Sequence, residues 1–212
     1  MKKYGVFILQ GLSIPFGIAV FSLLRMEFNK FDSFVFAMMA YWTFLVVATI
    51  ISIRVDREIG KNLFELLGPT KSFLFSALAF IPALGVFFVA ALPILGSLKL
   101  VIMIAGILIG SLNGILEEIF WRGLAIANLK EFKNHLFVAS ISLVLFAVFH
   151  FSFLMLSLNY QGGAINLVAS ALLMGALWYF VGLKTGTIKY GIFAHQLVNA
   201  FAFSSLFVLN GI

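Results

Sequence analysis

Long stretches without a charged residue constrain the fold of this chain more than any other feature. Of its 212 residues, 63% are hydrophobic and only 10% are charged, whereas a typical soluble domain carries about 25% charged residues. A helix needs roughly 20 mostly apolar residues to cross a bilayer. The pattern therefore predicts an all-α polytopic membrane protein of about seven transmembrane helices. The predicted stretches are Tyr4–Leu24, Phe34–Ile53, Phe73–Leu95, Leu100 to about Ala127, Leu136–Leu158, Ala164–Leu183 and Ile188–Leu209.

The segments around these stretches carry further signals for the fold. Pro82 lies inside the third stretch and predicts a kink, because proline removes a backbone donor and crowds the preceding turn. The polar cluster at 159–163 divides an uncharged run that is too long for one crossing. The charged segment Arg54–Lys71 also contains leucines and a phenylalanine. It therefore predicts an amphipathic helix on the membrane surface.

The chain is interpreted as one membrane domain over residues 1–212, since no internal repeat or linker is visible. Within it, residues 1–99 supply the N-terminal helices and 100–209 supply the helices with most intramembrane polar residues. The first stretch follows two lysines, as a signal peptide would. It is longer than the 7–15 apolar residues of a secretory signal, so it predicts a retained transmembrane helix.

The distribution of lysine and arginine predicts the orientation of the chain. With the N-terminus inside, the outer loops hold only Arg25, Lys30 and Lys99. The inner side then holds Lys2, Lys3, Arg54, Arg57, Lys61, Lys71, Lys130, Lys133, Lys184 and Lys189. Cytoplasmic loops are enriched in these residues, so the N-terminus is predicted to be cytoplasmic. Because the basic residues are scattered through short loops, the net charge of +6 does not indicate a nucleic-acid partner.

Three charged residues lie inside the fourth stretch, where an ionised group costs about 2.5–3.5 kcal/mol. Glu118 and Arg122 are four residues apart on a helix, so they share a face and are predicted to form a salt bridge. Glu117 is turned by about 100° from Glu118 and shares a face with Asn113. One carboxylate is thus predicted to be structural and the other to face a cavity.

Two histidines and an asparagine extend this polar set. His150 and Glu117 both lie about 20 Å from the inner ends of their helices at 1.5 Å per residue, so they are predicted to meet. His195 and Asn199 are four residues apart and point the same way. A carboxylate with a histidine can deprotonate a water, and a histidine with an asparagine can stabilise an oxyanion. The same side chains could instead bind a metal that activates the water.

Three short motifs carry a resemblance to a known family. Residues 117–122 fit Glu-Glu-x-x-x-Arg, residues 146–150 fit Phe-x-x-x-His and residues 195–199 fit His-x-x-x-Asn. In this order in a polytopic chain, they resemble the CPBP (Abi) family of intramembrane proteases, which includes the CAAX prenyl endopeptidases of the Ras-converting-enzyme type. The resemblance covers roughly residues 100–205.

The resemblance implies a role for each matching residue. Glu117 and His150 would activate the water, while His195 and Asn199 would stabilise the oxyanion. Glu118 and Arg122 would support the site. A divalent metal such as zinc, held by Glu117, His150 and His195, stays open as an alternative to direct catalysis. The resemblance also implies an active site that faces the cytoplasm, and the small chain suggests a prokaryotic plasma membrane.

The expected function is therefore that of an intramembrane endopeptidase. Its partners would be the lipid bilayer and a membrane-associated protein or peptide as substrate. One alternative is a non-catalytic membrane regulator or bacteriocin-immunity protein on the same scaffold. Another is a proton-coupled transporter that uses Glu117 and the histidines as a relay. Transporters are usually larger and contain inverted repeats, which this chain does not show.

Overall fold

A computed structural model describes residues 4–69 and 72–212, in which every regular element is helical. Seven of the helical segments are long and apolar enough to cross a membrane, which confirms the predicted fold class. We number them spans 1 to 7. Their bounds are Gly5–Glu27, Lys30–Val55, Phe73–Ser97, Leu100–Glu131, His135–Leu156, Gly163–Thr185 and Lys189–Asn210.

A shorter helix, Arg57–Leu66, joins span 2 to the segment before span 3. It confirms the amphipathic helix predicted within Arg54–Lys71, of which residues 70 and 71 lie outside the described residues. Its apolar face is buried in the protein through Ile59, Leu63 and Leu66. Asp56 begins the helix, because its carboxylate accepts the backbone N–H of Glu58. Placement of this helix on a membrane surface stays a prediction.

Span 3 is interrupted, as its proline predicts. An α-helix over Phe73–Leu78 ends in a turn, and a second α-helix begins at Ile81 with Pro82 in its first turn. A π-helical turn and a 3₁₀ segment, Leu92–Ser97, complete the span. The proline stands where its missing N–H leaves no helical hydrogen bond unmade.

Spans 4 and 7 pack most closely, because glycines on span 4 let the two backbones approach. A Cβ atom on Gly110 would lie 2.6 Å from the backbone nitrogen of Ala200, and one on Gly114 would lie 2.8 Å from that of Gln196. Small residues four apart are a common solution for close helix contact in membranes. This seam sets His195 and Asn199 beside the polar end of span 4.

The bundle has two ends that differ in sequence. At one end, the backbone carbonyl of Leu66 accepts hydrogen bonds from Thr187 Oγ1 at 2.7 Å and from the backbone N–H of Ile188 at 3.0 Å. Lys130 Nζ donates to Asn62 there at 2.8 Å, and we call this the lysine-rich end. At the opposite end, Asn210 bonds to the backbone of Asn159, and we call this the Asn210 end.

Candidate active site

The helix of span 4 changes geometry at the glutamate pair. It is α-helical up to Glu117, and Glu118–Gly123 forms a π-helical turn. Side chains from two other spans bind the carbonyls of this widened turn: Gln10 donates to Phe120 and Trp121 at 3.0 and 3.2 Å, and Ser142 donates to Trp121 at 2.8 Å. Single π-helical turns inside α-helices are frequent at functional sites.

Glu118 and Arg122 form the predicted salt bridge, with 3.2 Å between Arg122 Nη1 and Glu118 Oε1. Both side chains are almost fully buried. The guanidinium of Arg122 lies 3.8 Å from the centre of the Phe146 ring, so its flat face is covered by an aromatic surface. A Cβ atom on Gly175 would collide with this guanidinium, and a glycine there leaves it room.

His195 lies between the two carboxylates. Its Nδ1 is 2.9 Å from Glu118 Oε1, and its Nε2 is 3.3 Å from Glu117 Oε2. The ring stacks on Trp178 with 4.4 Å between the ring centres. Since a carboxylate accepts but does not donate, Nδ1 carries a proton toward Glu118. Nε2 is then the nitrogen that faces Glu117 and, when it carries a proton, donates toward Oε2.

His150 is the other ring in the site, at the point where span 5 changes from an α-helix to a 3₁₀ segment. Its Nδ1 is 2.8 Å from the backbone carbonyl of Phe146, one turn earlier. A carbonyl only accepts, so Nδ1 is the donor and Nε2 remains an acceptor in the neutral ring. His150 can therefore accept a hydrogen bond from a water in the cavity.

Asn199 follows His195 by one turn and also borders the cavity. Its Nδ2 is buried and makes no hydrogen bond to the residues that the structure describes, 4–69 and 72–212. Buried amide donors nearly always have a partner, and an unsatisfied one costs about 1–3 kcal/mol. A donor held without a partner beside a cavity is available to an oxygen atom of a ligand.

Tyr41 of span 2 is a site residue that the sequence interpretation missed. Its hydroxyl donates to Glu117 Oε1 at 2.9 Å and accepts from Trp121 Nε1 at 3.0 Å. The next residue, Trp42, donates to Asn113 at 3.0 Å. Tyrosine and tryptophan are enriched at the membrane interfaces. A Tyr-Trp pair in the middle of a span is therefore unusual, and the sequence could have indicated this site residue.

A cavity of about 390 Å³ lies beside four of the predicted site residues. Glu117, His150, His195 and Asn199 all border it, so the structure brings the four predicted residues to one space. Glu118 and Arg122 lie behind them and are not among its lining residues. Most of the wall is apolar and comes from spans 3, 6 and 7. The arrangement can hold a water beside a carboxylate and present donors to a carbonyl oxygen.

The histidine and carboxylate side chains of the site are not arranged as the ligands of a metal ion. Within residues 4–69 and 72–212, no three His, Asp or Glu side chains are placed to hold one metal ion. The Nε2 atom of His195 faces Glu117, and its other nitrogen is bonded to Glu118. In this conformation the described residues therefore do not fit a resident metal ion.

Comparison with known proteins decides the family. Residues 97–201, about half of the chain, match the model for the family described as Type II CAAX prenyl endopeptidase Rce1-like. The chain belongs to this Rce1-like family. No curated protein and no solved structure matched it. The Rce1-like match contains all three motifs, whereas Tyr41 lies outside it. The protein is thus an integral membrane protein of a CAAX-protease-like hydrolase family.

Proposed function

We propose that this Rce1-like protein is an intramembrane endopeptidase that hydrolyses a peptide bond of a membrane-associated protein or peptide. One observation supports the proposal more strongly than the others. A carboxylate, a histidine acceptor and an unpaired amide donor border the same buried cavity, at the residues where the three motifs match. Water, a base and oxyanion donors are the parts that amide hydrolysis needs.

The reaction begins with a water held by Glu117 and by Nε2 of His150. Glu117 takes a proton from this water as the oxygen attacks the carbonyl carbon of the substrate, and the carbonyl electrons move to its oxygen. Nε2–H of His195 and the amide of Asn199 donate to that oxyanion. The carbon–nitrogen bond then breaks, and Glu117 returns its proton to the departing nitrogen. The products are one carboxylate and one amine.

The surrounding residues keep the reacting groups in place. Arg122 compensates the charge of Glu118, which in turn orients His195 through Nδ1. Tyr41 binds Oε1 of Glu117 and leaves Oε2 facing His195. Side chains held in this way reduce the reorganisation that the reaction requires.

The test is a cleavage assay with detergent-purified protein and a library of apolar peptides, read by mass spectrometry. Wild type should produce paired fragments, and the His150→Ala variant should lose at least about 100-fold in rate, the lower range for acid–base groups. His135→Ala is the matched control, because that histidine is exposed at the start of span 5. Wild-type activity that persists with a chelator supports the metal-free mechanism.

Two results would overturn this proposal. If purified wild type cleaves no peptide while a cellular phenotype survives His150→Ala, the protein acts as a non-catalytic regulator. If the His150 and His135 variants cleave equally well, the water is activated elsewhere.

A further inference from the structure

Asn113 of span 4 is a polar residue of the cavity wall that the proposed reaction does not use. It is 3% exposed and borders the cavity one helical turn before Glu117. Trp42 Nε1 donates to Asn113 Oδ1 at 3.0 Å. Because an indole nitrogen only donates, the amide atom that faces Trp42 must be the oxygen. Trp42 therefore fixes the orientation of the amide, and Nδ2 is left for another acceptor.

This Nδ2 group has no acceptor within the described part of the protein. It makes no hydrogen bond to residues 4–69 or 72–212. Buried amide donors nearly always have a partner in a protein or in ordered water. A buried amide that is held in one orientation beside a cavity, with its donor unused, is arranged to bind an oxygen atom of a ligand.

Other neutral polar side chains of the wall already have partners. An oxygen atom within the protein accepts a hydrogen bond from each of Tyr160, Gln161, Asn166, Ser170 and Trp178. Among the described lining residues, the asparagines at 113 and 199 are the neutral side chains that donate to no protein atom. The cavity thus offers two free amide donors on a mostly apolar wall.

The two amides come from the spans that pack most closely. A Cβ atom added to Gly110 would lie 2.7 Å from the backbone carbonyl carbon of Asn199. Asn113 follows Gly110 by three residues, less than one helical turn. The two donors therefore face the cavity from adjoining helices, beside Glu117.

The spacing along span 4 fits an extended peptide. Glu117 follows Asn113 by four residues, which is about 6 Å along the helix. Two residues of an extended peptide cover about 6.6 Å, and carbonyl groups on one edge of the peptide repeat at that interval. In an apolar cavity each of these carbonyl groups needs a donor. A peptide lying along span 4 with its scissile bond at Glu117 brings a second carbonyl group to Asn113.

Resting on the proposed function, we infer that Asn113 is a substrate-binding residue, whose Nδ2 group donates to the backbone carbonyl oxygen two residues from the scissile bond. This contact is the same in the bound substrate and in the transition state, so it lowers KM and leaves kcat unchanged. It also determines which peptide bond lies at Glu117. Asn199 differs, because it meets the charge that develops during the reaction.

The first test compares Asn113→Leu with Gln196→Met in steady-state kinetics on a peptide that the wild type cleaves. Leucine is similar in shape to asparagine and has no donor. Gln196 is the matched control, because its amide also joins two spans, donating to the carbonyl of Ser111 at 3.4 Å, but it does not line the cavity. Asn113→Leu should raise KM about ten-fold and leave kcat unchanged, whereas Gln196→Met should keep the KM of the wild type.

A second measurement changes the substrate and leaves the protein intact. Replacing one carbonyl oxygen of the peptide by sulfur gives a thioamide, which is a weaker hydrogen-bond acceptor. A thioamide two residues from the scissile bond, on one of its two sides, should raise the KM of the wild type about five-fold. The same peptide should show no such increase with Asn113→Leu. A thioamide four residues from the scissile bond is the control.

Three results would overturn the inference while the protein remains a protease. A lower kcat with unchanged KM in Asn113→Leu would make Asn113 an oxyanion donor. Equal KM values in Asn113→Leu and Gln196→Met, with equal losses of thermal stability, would make it structural. A thioamide effect of the same size in wild type and Asn113→Leu would deny the contact. A wild type that cleaves no peptide would instead refute the proposed function, and this inference with it.

Discussion

Glu117 is held at two points by side chains from other spans, and one of these side chains is itself held by a third. Tyr41 binds one oxygen, His195 faces the other, and Trp121 on the next turn binds the Tyr41 hydroxyl. Tyr41 is completely buried and stacks on Phe149 with 4.3 Å between the ring centres. The phenol is therefore rigid, and it fixes the direction in which the carboxylate faces the cavity.

Replacing Tyr41 by phenylalanine keeps this stacking and removes only the hydroxyl. A hydrogen bond to a charged group contributes about 1.5–3 kcal/mol, so kcat should fall about ten-fold or more while KM stays the same. Steady-state kinetics on a cleaved peptide measures both constants.

Tyr160→Phe is the control for this prediction. Tyr160 also lines the cavity, but its hydroxyl donates to the carbonyl of Phe153 at 2.6 Å. A purely structural role for Tyr41 would give the two variants similar kinetics, with equal losses of thermal stability.

At the scale of the helix, the site depends on irregular geometry in otherwise regular spans. The glutamate pair borders a π-helical turn, and His150 begins a 3₁₀ segment. The sequence predicted the helices. It also predicted that Glu118 and Arg122 lie on the same face, because helical spacing fixes which residues share a face. It did not predict the widened turn, which depends on Gln10 and Ser142 reaching its carbonyls from other spans.

The seam between spans 4 and 7 is the element that aligns the two halves of the site. Gly114→Ala should lower cleavage sharply and reduce thermal stability in detergent, because the new Cβ would lie 2.8 Å from the Gln196 nitrogen and 3.1 Å from the His195 carbonyl carbon. Backbone atoms cannot yield as a flexible side chain can, so His195 must move away from the glutamates.

Gly11→Ala controls for the added methyl group. Gly11 also lies in a membrane span, but a Cβ atom added there would have no neighbouring atom within 4 Å. Its substitution should leave activity and the unfolding temperature unchanged. Equal behaviour of the two alanine variants would show that close packing of spans 4 and 7 does not position the site.

Across the whole molecule, the sequence predicted the membrane spans better than it predicted the contacts between side chains. Seven spans follow from the uncharged stretches, since a bilayer fixes the length of a crossing helix. The contact of Tyr41 with Glu117 could not be predicted, because it joins residues 76 apart in sequence. The burial of Ile59, Leu63 and Leu66 was also beyond the sequence, because the packing of the helix Arg57–Leu66 depends on the assembled bundle.

The central claim is that Glu117 takes the proton of the attacking water. Glu117→Gln is nearly isosteric, and its amide oxygen can still accept from Tyr41, but it cannot act as the base. We predict that kcat falls at least about 100-fold, while KM and the amount of inserted protein stay the same. Glu65→Gln, at an exposed carboxylate, should retain wild-type kinetics. Wild-type kcat in the Glu117→Gln variant would contradict the account.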